Sequence, residues 1–373
     1  MKKVCAIIIL TIIFLIFSAV PVRASYGGLE GQLGAVDFSG LNRAVSDIPG
    51  TEGLDIGEMA LKAAEGGLDL SPGGIIAGVL NALFGEIADL GSLMKNMVLI
   101  AIIGAMFKNL SESFKQKSVS ETGFYVTYAV VLTILLSSVG VCLGVVKTVI
   151  ADACGFMEAA VPVITGLMVM TGRITPAYAF NPVLVFIIDL ITVFTRDWLV
   201  PLIMAAAGIE LVNYISEKNP LSKLAELIKK SAGWILKGTA LVFAGVLSLQ
   251  GIASPAVDNG ITKSAKAAVG VVPVVGQALL GAVDSVAAWA GAAKAGTLAV
   301  MIIVIVLICA APLIKLLAFT ALFKLTAGLI QPISDKRIVK AVDATGSYAS
   351  LLLGAGVLVA VMFIFAVMIT LSL

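Results

Sequence analysis

Several uninterrupted apolar runs of about 20 residues dominate this sequence, and each is long enough to cross a membrane as a helix. Of its 373 residues, 60% are hydrophobic and only 13% are charged. A soluble domain is nearer half apolar, with about a quarter of its residues charged. Membrane β-strands would alternate lipid-facing and lumen-facing residues, a pattern that these continuous runs lack. The sequence therefore predicts an all-α, polytopic transmembrane bundle of about eight to ten spans. In an alternative interpretation, some of these segments are re-entrant and do not cross the membrane.

The last 250 residues read as two copies of one membrane unit, set about 111 positions apart. Pro162-Val163-Ile164 aligns with Pro273-Val274-Val275, and Pro201-Leu202-Ile203 aligns with Pro312-Leu313-Ile314. Each match is weak alone, but the matches occur in the same order in both halves. Duplicated halves are typical of membrane proteins that build a path or an interface between repeats.

Three lysine-bearing connections, 108–121, 216–231 and 331–346, are predicted to lie on the cytoplasmic side. Each unit must then cross the membrane an even number of times, so the repeat is parallel. Four crossings per unit satisfy this condition. Two crossings also satisfy it, if the Pro-centred blocks are re-entrant and each long apolar run is one kinked helix. Within 182–215, the polar pair Arg196-Asp197 and Pro201 favour a tight helical hairpin.

Composition divides the chain into six parts. The first, 1–24, reads as a signal peptide, with Lys2 and Lys3 before a short apolar core and Val22-Arg23-Ala24 as the cleavage site. An uncleaved first helix is the alternative. The others are an acidic, Gly-rich extracytoplasmic segment ending in an amphipathic helix (25–92), a first span with its basic loop (93–122), repeat unit 1 (123–231), repeat unit 2 (232–346) and a C-terminal span (347–373).

The chemistry available to this chain is narrow because it contains no histidine. Without histidine there is no Ser-His-Asp triad, no Cys-His pair and no histidine-based zinc site. No GxxxxGK[ST] phosphate-binding loop is present. The net charge of +2, with no basic stripe among aromatics, predicts no binding to nucleic acid. We therefore expect neither an enzyme nor a cofactor or metal site.

Polar residues within the apolar runs are the candidates for a functional site, because a charge at the bilayer centre costs about 3 kcal/mol on insertion scales. One interpretation is an ion or proton relay, or a polar pore lining. The other is pairing between helices, with Lys315, Lys237 or Arg196 as partner, or placement near an interface. The sequence leaves both open. The candidates are Glu158, Asp189, Glu210, Asn213, Asp284 and Lys315.

Proline and glycine recur at matching places in the two units. Pro162 with Gly166, and Pro273 with Gly276, are candidate helix breaks, because proline removes a backbone donor and glycine permits unusual torsions. Interrupted segments in corresponding positions of two halves point to a functional site in such proteins. Simple kinking for helix packing is the alternative.

Several stretches resemble the stage III sporulation protein AE family of endospore-forming bacteria. The resemblance covers nearly the whole chain after the leader and is most specific between 249 and 337. It is carried by Leu249-Gln250-Gly251 with Asp258 and Lys263, by Val272-Pro273-Val274-Val275-Gly276 with Asp284-Ser285-Val286, by Pro312-Leu313-Ile314-Lys315, and by Pro332-Ile333-Ser334-Asp335-Lys336-Arg337.

This resemblance implies a component of a transenvelope channel complex that links mother cell and forespore and sustains late forespore gene expression. It implies a location in the mother-cell membrane around the forespore, with other stage III sporulation A membrane proteins as partners. The lipid bilayer and a second copy of the chain are further expected partners. The family carries no established catalytic residue. A stand-alone ion- or proton-coupled permease, with Glu210 and Asp189 as relay residues, and a purely structural scaffold are the alternatives.

Overall fold

The computed structural model describes residues 36–46, 48, 54–64, 90–113, 117–170, 192–216, 220–253 and 275–372, with residues 85, 88, 186, 189 and 190. Within these residues every regular element is helical, which confirms the all-α prediction. The helices are α1 (Ser39–Ser46), α2 (Ile56–Ala64), α3 (Gly91–Ser113), α4 (Lys117–Met170), a π-helical segment (Val193–Leu199), α5 (Val200–Asn213), α6 (Ser222–Ala253), α7 (Val275–Ile330) and α8 (Lys336–Ser372). The predicted signal peptide, most of the amphipathic helix before residue 90, and Pro273 lie outside the described residues.

Helices α4 and α5 run antiparallel. The hydroxyl of Tyr128 near the start of α4 donates to the carbonyl of Leu211 near the end of α5. Far along α4, the sulfur of Cys154 lies 2.6 Å from the hydroxyl of Thr192, just before the π-helical segment. Repeat unit 1 therefore contributes one helix that leaves this end of the bundle and one that returns to it.

The same directions recur in the second unit. Lys324 near the end of α7 contacts Asp343 near the start of α8, and Leu313 lies against Gly356 deeper in the pair, so α7 and α8 are antiparallel. Lys229 in the first turns of α6 reaches Glu210 at the end of α5. Helices α4, α6 and α8 thus leave one common end, and α5 and α7 return to it.

These helix directions fit the two-crossing alternative for each predicted unit, whereas the internal duplication itself stays a prediction. Three described helices carry stretches long and apolar enough to cross a membrane, Glu121–Val169, Gly296–Ile330 and Lys336–Ile364. Helices α4 and α7, with 54 and 56 residues, are each about 80 Å long at 1.5 Å per residue. Since a hydrocarbon core is about 30 Å thick, both helices are longer than a single perpendicular crossing requires.

The hairpin predicted at Arg196-Asp197 and Pro201 is wrong. The π-helical segment passes directly into α5, where Pro201 occupies the first turn. Proline has no backbone N–H, and Pro201 stands where the backbone hydrogen bonding changes from π to α, so the helix accommodates it without a turn. Arg196 pairs with its exposed neighbour Asp197 at 2.9 Å. The two charges compensate each other on the helix surface, so the chain does not have to turn there.

Helix α4 also continues through Pro162 and Gly166 to Met170, where the sequence predicted an interruption. The ring of Pro162 lies on an exposed face of the helix, towards α1. A cavity of about 480 Å³ lies between the two helices. Its lining includes Pro162 and Gly166 of α4 and Arg43 of α1. The turn of α4 that contains Pro162 is therefore a contact site for the acidic N-terminal segment.

The two short N-terminal helices pack at the end of the bundle remote from Glu210. Helix α1 buries Leu41 and Val45 against α4, and α2 buries Ile56 and Ala60 against α7. Asp37 accepts a hydrogen bond from the backbone of Ser39 at the start of α1. Hydrogen bonding with Ser39 lowers the pKa of Asp37 below its usual value, so α1 begins with a carboxylate at its positive end.

Helices α4, α7 and α8 enclose most of the apolar core. Its largest fully buried side chains are Tyr128, Tyr348, Phe156, Phe323 and Phe363, with Leu41, Ile56, Leu135, Ile150, Met157 and Ile164. Several of them lie near the Glu210 end, where aromatic rings and charged groups meet.

Candidate functional site at the Glu210 end

Glu210 is the centre of a polar network that joins α5 to the start of α6 and to α8. Tyr214 donates its hydroxyl proton to Oε1 of Glu210 at 2.8 Å, and Tyr348 of α8 donates to Oε2. The ammonium of Lys229 in α6 lies 3.5 Å from Oε2 and 4.5 Å from the centre of the Tyr348 ring. The Glu210 side chain is 17% exposed. We call Glu210, Tyr214, Lys229 and Tyr348 the Glu210 clamp.

The position of Glu210 on its helix explains why it needs these partners. It lies in the last turn of α5, where unpaired carbonyls and the helix dipole disfavour a negative charge. Lys229 supplies the opposite charge, and Tyr214 and Tyr348 supply two O–H donors. Asn213 ties down the same helix end, because its side-chain oxygen accepts a hydrogen bond from the backbone N–H of Leu221 at 2.7 Å.

Arg337 forms a second junction beside the clamp. Its guanidinium lies 3.3 Å from the centre of the Phe124 ring, within the range of a cation–π contact. One of its N–H groups donates to the carbonyl of Ile215 at 3.3 Å, and its Nε donates to Asp335. Residues from the start of α4, the end of α5 and the start of α8 therefore meet at one cation. The three connections predicted to be cytoplasmic adjoin the same end of the bundle.

Replacement of Tyr128 by phenylalanine should lower the free energy of unfolding by about 1 kcal/mol. The change removes the hydroxyl that satisfies the carbonyl of Leu211, one of the last carbonyls of α5. Thermal unfolding of the purified protein in detergent measures the effect. Replacing the exposed Tyr125 by phenylalanine is the control and should leave the transition unchanged. Equal transitions for the two variants would contradict the role given to Tyr128.

The structure does not bring the predicted polar residues together. Glu158 lies exposed on the remote part of α4, and Asp189 is also exposed. Lys315 is half-buried in the middle of α7, away from the Glu210 clamp. Glu210 and Asn213 lie at one helix end but have different partners. Gly276 and Asp284 fall in the first part of α7, and the side chain of Asp284 lies outside the described residues.

Sequence reasoning missed most partners of Glu210. The expected pairing was with Lys315, Lys237 or Arg196, whereas the ion pair is with Lys229. Tyr214 was available as a signal because it lies four positions after Glu210, on the same helical face. Tyr348 is 138 positions away, and no spacing rule connects it with Glu210.

The clamp offers a carboxylate, an ammonium and two hydroxyls, all engaged with one another. No group of three or more His, Cys, Asp or Glu residues that could hold a metal ion occurs in the described part of the chain. The clamp's geometry is that of a mechanical link between α5, α6 and α8. Such a link holds these three helices in one arrangement at this end.

Comparison with known proteins gives one family by two routes, a family model and a relative. The model of the stage III sporulation protein AE family matches residues 54–373, which include α2 and all later helices but not α1. A stage III sporulation protein AE of Bacillus subtilis (strain 168) is 27% identical over 301 residues. The aligned region covers 80% of this chain and 75% of that relative. No solved structure matches the chain.

Proposed function

Because the chain belongs to the stage III sporulation protein AE family, we propose that it is a non-enzymatic component of a channel or secretion-like complex. This complex joins mother cell and forespore and supports late forespore development. The chain acts in the mother-cell membrane around the forespore. Its partners there are other stage III sporulation A membrane proteins.

The arrangement of the acidic residues is the observation that supports this proposal most. A proton- or ion-coupled permease needs titratable groups that lead from one side of the membrane to the other. Here both carboxylate oxygens of Glu210 are engaged at one end of the bundle, and Glu158 lies exposed near the other. The half-buried Asp152 of α4 also lies towards that other end, and between it and Glu210 the described helices carry no acidic group. This separation favours a component of an assembly over an autonomous transporter.

The N-terminal segment supports the proposal in a second way. Helices α1 and α2 pack at the end of the bundle remote from the basic connections, and the backbone N–H of Ile56 donates to the side chain of Asn42 between them at 3.0 Å. A docked, acidic cap on that side gives the complex a surface towards the space between the two membranes.

Deletion of the gene in a sporulating strain should abolish heat-resistant spores and silence a late forespore reporter, and re-expression of the chain should restore both. Engulfment should proceed in the deletion strain, because the proposed role begins afterwards. Purified chain in lipid vesicles should show no solute-dependent ion flux. Normal late reporter activity without the chain would contradict the proposal, and robust flux by the chain alone would support the permease.

Labelling of single cysteines introduced at positions 223 and 340 tests the topology on which the proposal depends. Both positions are exposed. Both should react with a membrane-impermeant maleimide only after the cytoplasm is opened, because both adjoin the clamp end of the bundle. A cysteine at position 58 in α2 is the matched control and should react from the opposite side. Labelling of 223 and 340 from different compartments would exclude the parallel repeat.

A further inference from the structure

Lys315 lies near the middle of Gly296–Ile330, the stretch of α7 that is long and apolar enough to cross a membrane. It is nine positions before Lys324, whose ammonium pairs with the exposed Asp343 at 2.7 Å. We take this exposed ion pair as the level of one membrane boundary. At 1.5 Å per residue, nine positions place Lys315 about 14 Å from that boundary. Half the thickness of a hydrocarbon core is about 15 Å. A lysine at this depth requires a polar partner.

The described part of the chain supplies no such partner. No hydrogen bond or ion pair joins Lys315 to a described residue. The nearest described carboxylate along the pair of helices, Asp343, is already engaged by Lys324 at the boundary. Lys315 is half-buried, and the residue one turn before it, Ala311, is exposed. Its side chain therefore borders the outer surface of α7 and not the packed core.

A second lysine shows why Lys315 is unusual. Lys237 is exposed on α6, eight positions or about 12 Å beyond Lys229. Side chains on a helix tilt towards its N-terminus. The N-terminus of α6 lies at the near boundary, so Lys237 can extend its ammonium to the lipid headgroups. The N-terminus of α7 lies at the remote end, so Lys315 tilts away from the boundary marked by Lys324.

We propose that Lys315 is the docking point for a transmembrane helix of another protein in the complex, which carries an Asp or Glu at mid-membrane depth. This inference rests on the proposed function. Ala311 and the exposed Leu307 precede Lys315 at four-residue intervals. Together they form a strip with a small residue where a second helix can approach closely.

Charge complementarity determines the occupant of this strip. A lipid chain cannot neutralise an ammonium, whereas a carboxylate on a neighbouring helix can. A second copy of this chain is a poorer fit, because the carboxylates of its described helices lie towards the two ends of the bundle. The exposed Glu158 lies at the remote end, and the Glu210 carboxylate is engaged at the clamp end. The partner is therefore a different, acidic transmembrane helix.

The experiment compares Lys315→Met, Lys315→Arg and the matched control Lys237→Met in sporulating cells. Loss of a charge pair at the bilayer centre weakens assembly about a hundredfold. Lys315→Met should therefore lose co-purification with stage III sporulation A partners and reduce the yield of heat-resistant spores more than about tenfold. Lys315→Arg, which keeps the charge, should retain at least part of both activities. Lys237→Met should behave as the unchanged protein.

Two further measurements separate docking from folding. The purified Lys315→Met chain should unfold at the same temperature as the unchanged chain, or higher, because Lys315 has no partner among the described residues. Second-site suppressors of Lys315→Glu should change an Asp or Glu to Lys or Arg within a transmembrane segment of another protein. An unstable purified Lys315→Met chain, or suppressors confined to this chain, would overturn the inference.

Failure of the inference is distinguishable from failure of the proposed function. If the deletion strain forms no spores but Lys315→Met assembles and sporulates normally, only the docking site is wrong. If the deletion strain forms spores normally, the proposed function itself is wrong.

Discussion

Replacing Gly296 by valine is expected to detach α2 from α7 and to lower the free energy of unfolding by about 3 kcal/mol. A Cβ atom at Gly296 would lie 2.7 Å from the backbone nitrogen of Ala64 and 2.8 Å from the carbonyl oxygen of Ala60. Both are backbone atoms, so no side-chain rotation relieves the contact, and the two helices must separate. Gly296→Ala should cause a smaller loss in the same direction.

Thermal unfolding in detergent and limited proteolysis within 54–64 together measure this effect. Gly328→Ala on the same helix is the matched control, because a Cβ atom at Gly328 meets nothing within 4 Å. That control should stabilise the chain by up to about 1 kcal/mol through higher helix propensity. If Gly296→Val and Gly328→Ala unfold at the same temperature and resist protease equally, the close contact between α2 and α7 is wrong.

Replacing Glu210 by alanine is expected to lower the free energy of unfolding by about 3 kcal/mol. The change removes one ion-pair partner and the acceptor of two hydroxyl groups, and it leaves the half-buried Lys229 without its counter-charge. Glu210→Gln keeps the shape and one carbonyl acceptor, so its loss should be smaller, about 1 to 2 kcal/mol. Unfolding of both variants in detergent gives these values.

Glu226 provides the matched control for Glu210. It is an exposed carboxylate on α6 whose pKa is lowered by a hydrogen bond from Lys230 at 2.7 Å. Because surface ion pairs contribute little, Glu226→Gln should leave the unfolding transition unchanged. A permease would give a different pattern, in which Glu210→Gln abolishes flux and leaves stability unchanged. Equal stability of the Glu210 and Glu226 variants would contradict the clamp.

The sequence predicted the class of fold and the common end of the basic connections, because both follow from strong one-dimensional signals. Continuous apolar runs leave helices as the spanning element. Lysine-rich connections orient them, and the meeting of Phe124, Ile215 and Arg337 places these connections together as the parity argument required. From the sequence, each repeat unit could cross the membrane two or four times, because the number depends on whether the polar interruptions end a helix.

Those interruptions show the limit of local reasoning. Arg196 and Asp197 predicted a turn in the sequence, but in the structure they form an ion pair on the helix surface. Pro162 reads as a break, yet α4 continues through it and contacts α1 at that turn. The Glu210 clamp was equally hidden, because Tyr348 belongs to the final helix. Four of the six tyrosines, Tyr125, Tyr128, Tyr214 and Tyr348, lie near this end, a clustering that only folding reveals.

The length of α4 and α7 gives the N-terminal segment a role: its helices α1 and α2 shield the remote ends of α4 and α7 from water. Each helix is about 80 Å long, whereas a hydrocarbon core is about 30 Å thick, and near its end remote from Glu210 α4 buries apolar residues such as Val163 and Leu167. If nothing covered them in an aqueous compartment, these apolar ends of α4 and α7 would associate with those of other molecules. The amphipathic helices α1 and α2 coat them, so a chain deprived of this coat should aggregate outside the membrane while its anchored portion remains intact.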